Sequence, residues 1–129
     1  MAEEVEVRGF GELEGAIMGR MWSRGTPATV RQMVEELRDE RNPAYTTVMT
    51  VMDILHRKGW LSREREGRAY RYVPTVTREE HAAQLMREAL SEGQNTEAVL
   101  MHFLEGGTPE EAASVREVLQ KLAGKEPKR

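Results

Sequence analysis

Apolar side chains recur at three- and four-residue steps along most of this chain, which is the spacing of helices with one buried face. The first stripe lies within residues 11–22, before Gly25 and Pro27 end the predicted helix. A second stripe follows Thr29, which opens a Thr-x-x-Gln capping box and so predicts a helix start. Residues 1 to about 10 lack this spacing, and we expect them to be frayed.

A third stripe predicts a helix between the Asn42-Pro43 turn and Gly59. Its apolar members are Val48, Val51, Met52 and Leu55. The opposite face carries hydroxyl groups, a phenol and cations. Hydroxyl groups can donate or accept hydrogen bonds at base edges, so this face suits a DNA groove. Composition alone, however, favours an ordinary solvated face.

After Gly59 the spacing of apolar and polar residues changes to a period of two, which predicts β-strands. The arginines on these strands favour DNA binding. Residues 60–66 and 68–73 alternate around Gly67, which predicts a β-hairpin with arginines on both strands. Three short helices followed by such a hairpin is the order of a winged helix-turn-helix, whose third helix enters the major groove. We expect base or groove contacts from Tyr45, Thr46, Thr47 and Thr50, and phosphate contacts from Arg31, Arg57, Arg65, Arg68 and Arg71.

Residues 77–129 predict three further short helices. The first begins at a capping box headed by Thr77, and the last begins at Thr108-Pro109. These helices hold too little chain to bury their apolar stripes alone. We therefore expect a mainly α (α+β) protein, with a winged helix-turn-helix domain at residues 1–76 and a helical dimerisation domain at residues 77–129. The predicted dimer contacts are Leu85, Met86, Val99, Leu100, Phe103, Leu104, Val115, Val118, Leu119 and Leu122.

The charge distribution agrees with one basic face. The formal net charge is -3, but most of the charged residues within the range 41–72 are cations. The acidic residues concentrate at residues 3–14, at residues 35–40 and after Glu79. Distribution matters more than the sum for a nucleic-acid-binding surface, so the negative net charge does not argue against DNA as a partner.

The composition also bounds the class of protein. The 129 residues contain no cysteine, which excludes disulfide bonds and thiolate metal sites. The acidic start of the chain is unlike a signal peptide, and no apolar run approaches the length of a membrane span. We therefore expect a cytoplasmic protein with no membrane contact.

Other chemistry is disfavoured by the residues present. His56, His81 and His102 stand outside any recognisable ligand motif, and we expect them to be solvated or hydrogen-bonded. The chain has no glycine-rich phosphate loop, nucleophile elbow or thiol, so we expect no enzyme, metal or cofactor. Trp22 and Trp60 are expected to pack around the helix-turn-helix. Seven methionines are expected to fill the core: Met18, Met21, Met33, Met49, Met52, Met86 and Met101.

Two alternatives remain open at this point. The winged helix could serve only as a protein-interaction module, with its basic face on an acidic partner. The Tyr45-Thr46-Thr47 start of the third helix argues against this, because such positions meet base edges. Alternatively, a small ligand bound between the two domains could regulate DNA binding, although the sequence offers no convergent polar pocket.

Several of these motifs together resemble the BlaI/MecI/CopY family of penicillinase repressors. They are residues 45–51, the Lys58-Gly59 pair and the stretch Arg68-Ala69-Tyr70-Arg71-Tyr72. The resemblance is close over residues 11–73 and looser in the C-terminal helices. It implies a homodimeric repressor that binds an inverted repeat with TACA/TGTA-like half-sites, and whose C-terminal helices form the dimer interface.

The resemblance also implies a mode of release. In antibiotic-sensing members, a membrane sensor-protease pathway leads to cleavage between Asn and Phe in the C-terminal region. His102-Phe103 is the similar position here, with His102 in place of the asparagine, and Phe103 is also expected to be a buried anchor of its helix. A regulatory protease is thus a candidate partner. The copper-sensing branch uses a cysteine motif, so thiolate copper sensing is excluded.

Overall fold

The structure, a computed structural model, describes residues 9–125. It divides into two compact units, with the boundary between Leu85 and Met86. The elements in chain order are α1 (Glu12–Arg24), α2 (Val30–Leu37), α3 (Tyr45–Arg57), β1 (Leu61–Glu66), β2 (Ala69–Pro74), α4 (Arg78–Glu92), α5 (Thr96–Glu105) and α6 (Pro109–Gly124). This order confirms the predicted mainly α winged-helix fold. The functional division at residues 76 and 77 stays a prediction.

The core of the N-terminal unit is built from the three predicted apolar stripes. Two hairpin residues, Leu61 and Tyr72, join that core. A two-stranded hairpin is marginally stable by itself, so β1 and β2 depend on this packing. The buried helical side chains at its centre are Ile17, Met18 and Met21 of α1, Met33 and Leu37 of α2, and Val48, Met52 and Leu55 of α3.

A short bridge ties the hairpin to the connection between α1 and α2. The Tyr72 N–H donates to the Ala28 oxygen at 2.9 Å, and the Ala28 N–H donates to the Tyr72 oxygen at 3.0 Å. Ala28 is fully buried. Both backbone groups of Tyr72 are therefore used here, which fixes β2 against the helices.

The antiparallel register decides which hairpin side chains share a face. Arg63 lies opposite Tyr72, Arg65 opposite Tyr70, and Arg71 opposite Glu64. Since opposed residues point to the same side and neighbours along a strand alternate, Arg65 and Arg71 lie on opposite faces. Gly67 has a φ of +64° and opens a two-residue loop, as in type II′ hairpin turns.

Threonine caps form at the predicted helix starts. Thr29, Thr77 and Thr108 each accept a hydrogen bond from the backbone N–H three residues later, at 2.9 to 3.1 Å. Each capping box is completed by the side chain of the residue at that position. In contrast, α3 begins after Ala44 with no side-chain cap.

An aromatic cluster corrects two expectations. Phe10 is not frayed, because its ring stacks on His81 at a centroid distance of 4.9 Å and meets Trp60 edge-on at 5.1 Å. His81 was expected to be solvated or hydrogen-bonded. It is only 5% exposed and also packs against Trp22, which excludes the solvated alternative. Trp22 Nε1 donates to the Val76 oxygen at 2.9 Å. Residues 1–8, also expected to be frayed, lie outside the described residues.

The C-terminal unit leaves its apolar side chains in contact with water. None of the residues of α5 or α6 is buried, within the part of the chain that the structure describes. Phe103 is 51% exposed, which overturns its expected burial within a single chain. The prediction that the methionines fill the core is also wrong for Met49, Met86 and Met101, which are 43%, 61% and 54% exposed.

Two methionines of α3 give a matched test of this core. Met52 is fully buried, so Met52→Ala should lower the free energy of unfolding by about 2–5 kcal/mol through lost burial and a residual cavity. Met49→Ala removes the same atoms from an exposed position of the same helix and should change stability by no more than about 0.5 kcal/mol. Urea unfolding followed by circular dichroism measures both. Equal losses would contradict the described orientation of α3.

Candidate nucleic-acid interface

The exposed face of α3 is a row of polar and aromatic side chains. Tyr45 is 46% exposed, and Thr46, Thr47 and Thr50 are also exposed. Val48, Met52 and Leu55 on the other side are fully buried. Burial of that stripe therefore fixes which way the hydroxyl groups face.

The start of α3 adds hydrogen-bond donors to this face. Its first backbone N–H groups have no partner within the helix, and Ala44 offers no side chain to cap them. Such a helix start favours anions, because the free N–H groups and the helix dipole both act at that end. The uncapped start is thus suited to a phosphate oxygen beside the threonines.

Met49 belongs to the same exposed face and was missed by the sequence reasoning. It lies four residues after Tyr45 and four before Asp53, so the three share one side of the helix. An exposed apolar side chain beside hydroxyl groups can contact a thymine methyl group in the major groove. The four-residue step from Tyr45 could have shown from the sequence that Met49 lies on the exposed face.

Several cations near this face are paired with acids of the same chain. Arg57 Nη2 lies 2.5 Å from the Asp53 carboxylate, and Lys58 Nζ lies 3.1 Å from Glu14 Oε2. Arg71 pairs with Glu66, on the hairpin face opposite to Arg65. A hydrogen bond from the Gly11 backbone is the main cause that lowers the pKa of Glu14, and the Lys58 pair lowers that pKa further. The basic surface is therefore weaker than a count of arginines suggests.

Three predicted phosphate contacts differ from these paired cations. Arg31 on α2, Arg65 on β1 and Arg68 at the hairpin tip are exposed and have no carboxylate partner among residues 9–125. The Arg65 guanidinium lies 5.0 Å from the centroid of the Tyr70 ring, which holds it by a cation–π contact. Among the five predicted phosphate contacts, these three are therefore the most available to an external anion.

A polar network joins α3 to both strands of the hairpin. Arg63 Nη1 donates to Asp53 Oδ1 at 2.9 Å and to the Tyr72 hydroxyl at 3.2 Å. The Arg63 guanidinium also lies over the Tyr70 ring, 4.1 Å from its centroid. Hydrogen bonds from Arg63 first and Arg57 second lower the pKa of the Asp53 carboxyl. The Tyr72 hydroxyl is the main cause that raises the pKa of Arg63.

The predicted site residues thus fall into distinct places. Tyr45, Thr46, Thr47 and Thr50 lie together on α3, and Arg65 lies on the hairpin face that turns toward α3. Arg71 lies on the other face of the hairpin. Asp53 and Arg63, which the sequence reasoning did not select, provide the link between these elements. The contacts of these residues with DNA stay predictions.

The predicted dimer contacts of the C-terminal unit line an apolar concavity. A cavity of about 290 Å³ is lined by Met86, Ala89, Leu90, Val99, Leu100, Phe103, Leu104 and Val115. Val118, Leu119 and Leu122 of α6 are 52%, 60% and 59% exposed. Leu85, the remaining predicted contact, is half-buried in the N-terminal unit.

The candidate cleavage position lies inside α5. The His102 carbonyl accepts a hydrogen bond from the Gly106 N–H at 3.0 Å, so the His102-Phe103 bond is part of a closed helical turn. Both side chains are exposed. A protease needs an extended backbone, so α5 would have to open locally before this bond could be cut.

Two other classes of site have no counterpart in the described part of the chain. Residues 9–125 contain no group of three or more His, Asp or Glu side chains placed to hold a metal ion. No helix in that range combines the length and the apolar character needed to cross a membrane.

Comparison with known proteins bears on this interface. Residues 10–121 match the family described as "Penicillinase repressor". Two curated relatives, both named "Transcriptional regulator BlaI" and from the CDC 1551 and H37Rv strains of Mycobacterium tuberculosis, are 43% identical over 116 residues, covering 88% of this chain and 84% of theirs. A solved structure described as "Structural insights into the DNA recognition and protein interaction domains reveal fundamental homologous DNA pairing properties of HOP2" is 18% identical. The match covers 47% of this chain and 95% of that one, with a TM-score of 0.45.

Proposed function

This chain belongs to the penicillinase repressor family of DNA-binding transcriptional repressors, and on that premise we propose that it acts as a homodimer on an inverted-repeat operator. The observation that carries the proposal is the exposed row on α3, with an uncapped helix start at one end and an arginine-bearing hairpin beside it. In a winged helix, those are the parts that meet the major groove and the neighbouring backbone.

The proposed division of labour follows from the side chains. Tyr45, Thr46, Thr47 and Thr50 read base edges or the groove wall, and Met49 adds an apolar contact. The proposed phosphate contacts are Arg31, Arg57, Arg65, Arg68 and Arg71. Arg68 at the hairpin tip is best placed for a neighbouring groove, whereas Arg71 must first leave Glu66.

The proposed dimer is supported by the exposed apolar surface of α5 and α6. A chain of this length rarely leaves that many large apolar side chains in water without a partner surface. A second copy presents the same apolar side chains, so two C-terminal units can cover each other through a self-complementary interface. Two winged helices then reach half-sites about one helical turn, roughly 10 bp, or a multiple of it apart.

The proposed release step is a cut in α5 that the sequence resemblance places at His102-Phe103. Such a cut separates α6 from the winged helix and so removes Val118, Leu119 and Leu122 from the interface of that chain. Loss of the dimer removes the high effective concentration of the second half-site. His102 stands at the position where the antibiotic-sensing members have asparagine, so a protease acting here must accept an imidazole before the cut bond.

The first prediction separates base reading from phosphate binding. Thr47→Ala should weaken binding to the preferred duplex by about 1–3 kcal/mol and leave a scrambled duplex unaffected, because a base contact is lost. Arg68→Ala should weaken both duplexes alike and reduce the slope of log K against log salt by about 1. Fluorescence anisotropy over a salt series measures both, with Thr26→Ala and Arg87→Ala as controls at exposed positions of the same residue types. Equal effects of the two variants on both duplexes would refute this division.

The second prediction concerns the dimer. Leu119→Glu places a charge on the exposed apolar surface of α6, so it should give monomers in sedimentation and weaken operator binding by about 10²–10⁴. Gln120→Glu adds the same charge at the next position of α6 and should leave the dimer intact. A wild-type protein that is monomeric at micromolar concentration and still binds the full operator would be incompatible with the proposal.

The third prediction concerns release. In cells exposed to a cell-wall antibiotic, the protein should be cut between residues 102 and 103 into two fragments. The repressed promoter should then become active. Mass spectrometry of the recovered protein, with and without the antibiotic, locates the cut. Phe103→Leu keeps an apolar helix-forming residue at that position, so it should fold and repress as the wild type does but resist the cut, because the family's cut falls before Phe. Leu100→Met leaves the bond unchanged and should be cut as the wild type is. Derepression with an intact chain would favour a small ligand or another partner as the inducer.

A further inference from the structure

Asp53 is placed between two arginines that differ in their surroundings. On one side it accepts from Arg63 of β1, and on the other it pairs with Arg57 on the next turn of α3. The side chain of Arg63 is 22% exposed and that of Arg57 is 74% exposed, while Asp53 itself is 29% exposed. One carboxylate therefore makes an enclosed ion pair and an open one.

The enclosed pair is held by several contacts at once. Besides Asp53, Arg63 donates to the Tyr72 hydroxyl and lies over the Tyr70 ring. Tyr72 is in turn 2% exposed and bridged to Ala28. A guanidinium packed in this way loses little further side-chain freedom on pairing, which is the condition under which an ion pair fixes geometry. Arg63 thus connects α3 to the two strands of the hairpin.

The open pair has the opposite character. Arg57 and Asp53 are an i, i+4 pair on the surface, and such pairs are weak and readily exchanged for another anion. A DNA phosphate offers a comparable acceptor and releases condensed counterions when it is bound. Arg57 can therefore leave Asp53 at little cost, whereas Arg63 cannot.

A negative charge beside a DNA-binding face opposes binding, so its presence needs a reason. Asp53 lies on the same side of α3 as Tyr45 and Met49. Its charge repels phosphates, yet its bond to Arg63 is the only ion pair between α3 and the hairpin among the described residues. The link between the two DNA-reading elements offsets the repulsion.

We propose that Asp53 is a positioning residue for operator recognition: it sets the hairpin against α3 through Arg63, and it holds Arg57 back along the helix until a phosphate takes that arginine over. This inference rests on the proposed function, because it assigns a role within the DNA-bound surface. It makes Arg63 a structural cation and Arg57 a transferable one. The specificity of the protein then depends on a carboxylate that touches no base.

The test compares four full-length variants with the wild type. Asp53→Asn and Arg63→Met break the enclosed pair, Arg57→Met breaks only the open pair, and Asp39→Asn removes a charge from an exposed turn as a control. The probes are a duplex selected by the wild type from a random library and a scrambled duplex of the same composition. Binding is measured over a salt series, and hydrogen exchange of the hairpin amides is measured in the free protein.

Asp53→Asn and Arg63→Met should each reduce binding to the selected duplex about tenfold, and the double variant should be no worse than either. Asp53→Asn should bind the scrambled duplex at least as well as the wild type, since a repelling charge is gone. Both variants should also speed exchange of the hairpin amides. Arg57→Met should instead weaken binding to both duplexes and reduce the slope of log K against log salt by about 1. It should leave hydrogen exchange of the hairpin amides unchanged.

Three outcomes would overturn the inference. Equal changes in affinity for the selected and the scrambled duplex would mean that Asp53 acts only through its charge. A loss of specific binding with unchanged hydrogen exchange of the hairpin amides would indicate that Asp53 contacts a base directly. Additive losses of affinity for Asp53→Asn and Arg63→Met would show that the two residues act independently. If the wild type prefers no duplex, the proposed function fails, while the exchange measurements still decide whether Asp53 holds the hairpin.

Discussion

The burial of one stripe of α3 is the constraint on which the rest of the structure depends. Val48, Met52 and Leu55 are fully buried against α1, α2 and the base of the hairpin, so rotation of α3 about its axis would expose them. Well-packed interiors resist such changes, since even small volume changes are felt. The same packing therefore fixes the outward direction of the threonines and places Asp53 within reach of Arg63.

Internal ion pairs decide how strongly the arginines act on an external anion. An arginine paired with a carboxylate must break that ion pair before it can bind a phosphate. It therefore adds less to the affinity for DNA than an unpaired arginine does. Arg57 and Arg71 begin paired, whereas Arg31, Arg65 and Arg68 have no carboxylate partner within residues 9–125. The chain can thus be acidic overall and limit non-specific attraction to DNA while retaining a few available cations.

Sequence patterns predicted what depends on neighbours in the chain. The threonine caps and the apolar stripes are local features, and each formed where its spacing indicated. The cluster of Phe10, Trp22, Trp60 and His81 was missed because it joins positions distant in sequence, which periodicity does not relate. The separation of Arg65 from Arg71 needed the register around Gly67, and the pairing of Asp53 with Arg63 needed the hairpin to fold back on α3. The phosphate contacts themselves remain predictions.

The exposed stripes of α5 and α6 link assembly to susceptibility in the proposed dimer. In that dimer, residues that are half exposed in one chain would be covered by the second copy. Dimerisation would therefore stabilise helices that bury none of their residues alone. The His102-Phe103 bond lies within a hydrogen-bonded turn of α5. That turn would therefore open more often in a monomer than in the proposed dimer. A protease that acts there would consume monomers first and draw the dimer apart by mass action. Operator occupancy would then fall with the concentration of intact chain, without any change at α3.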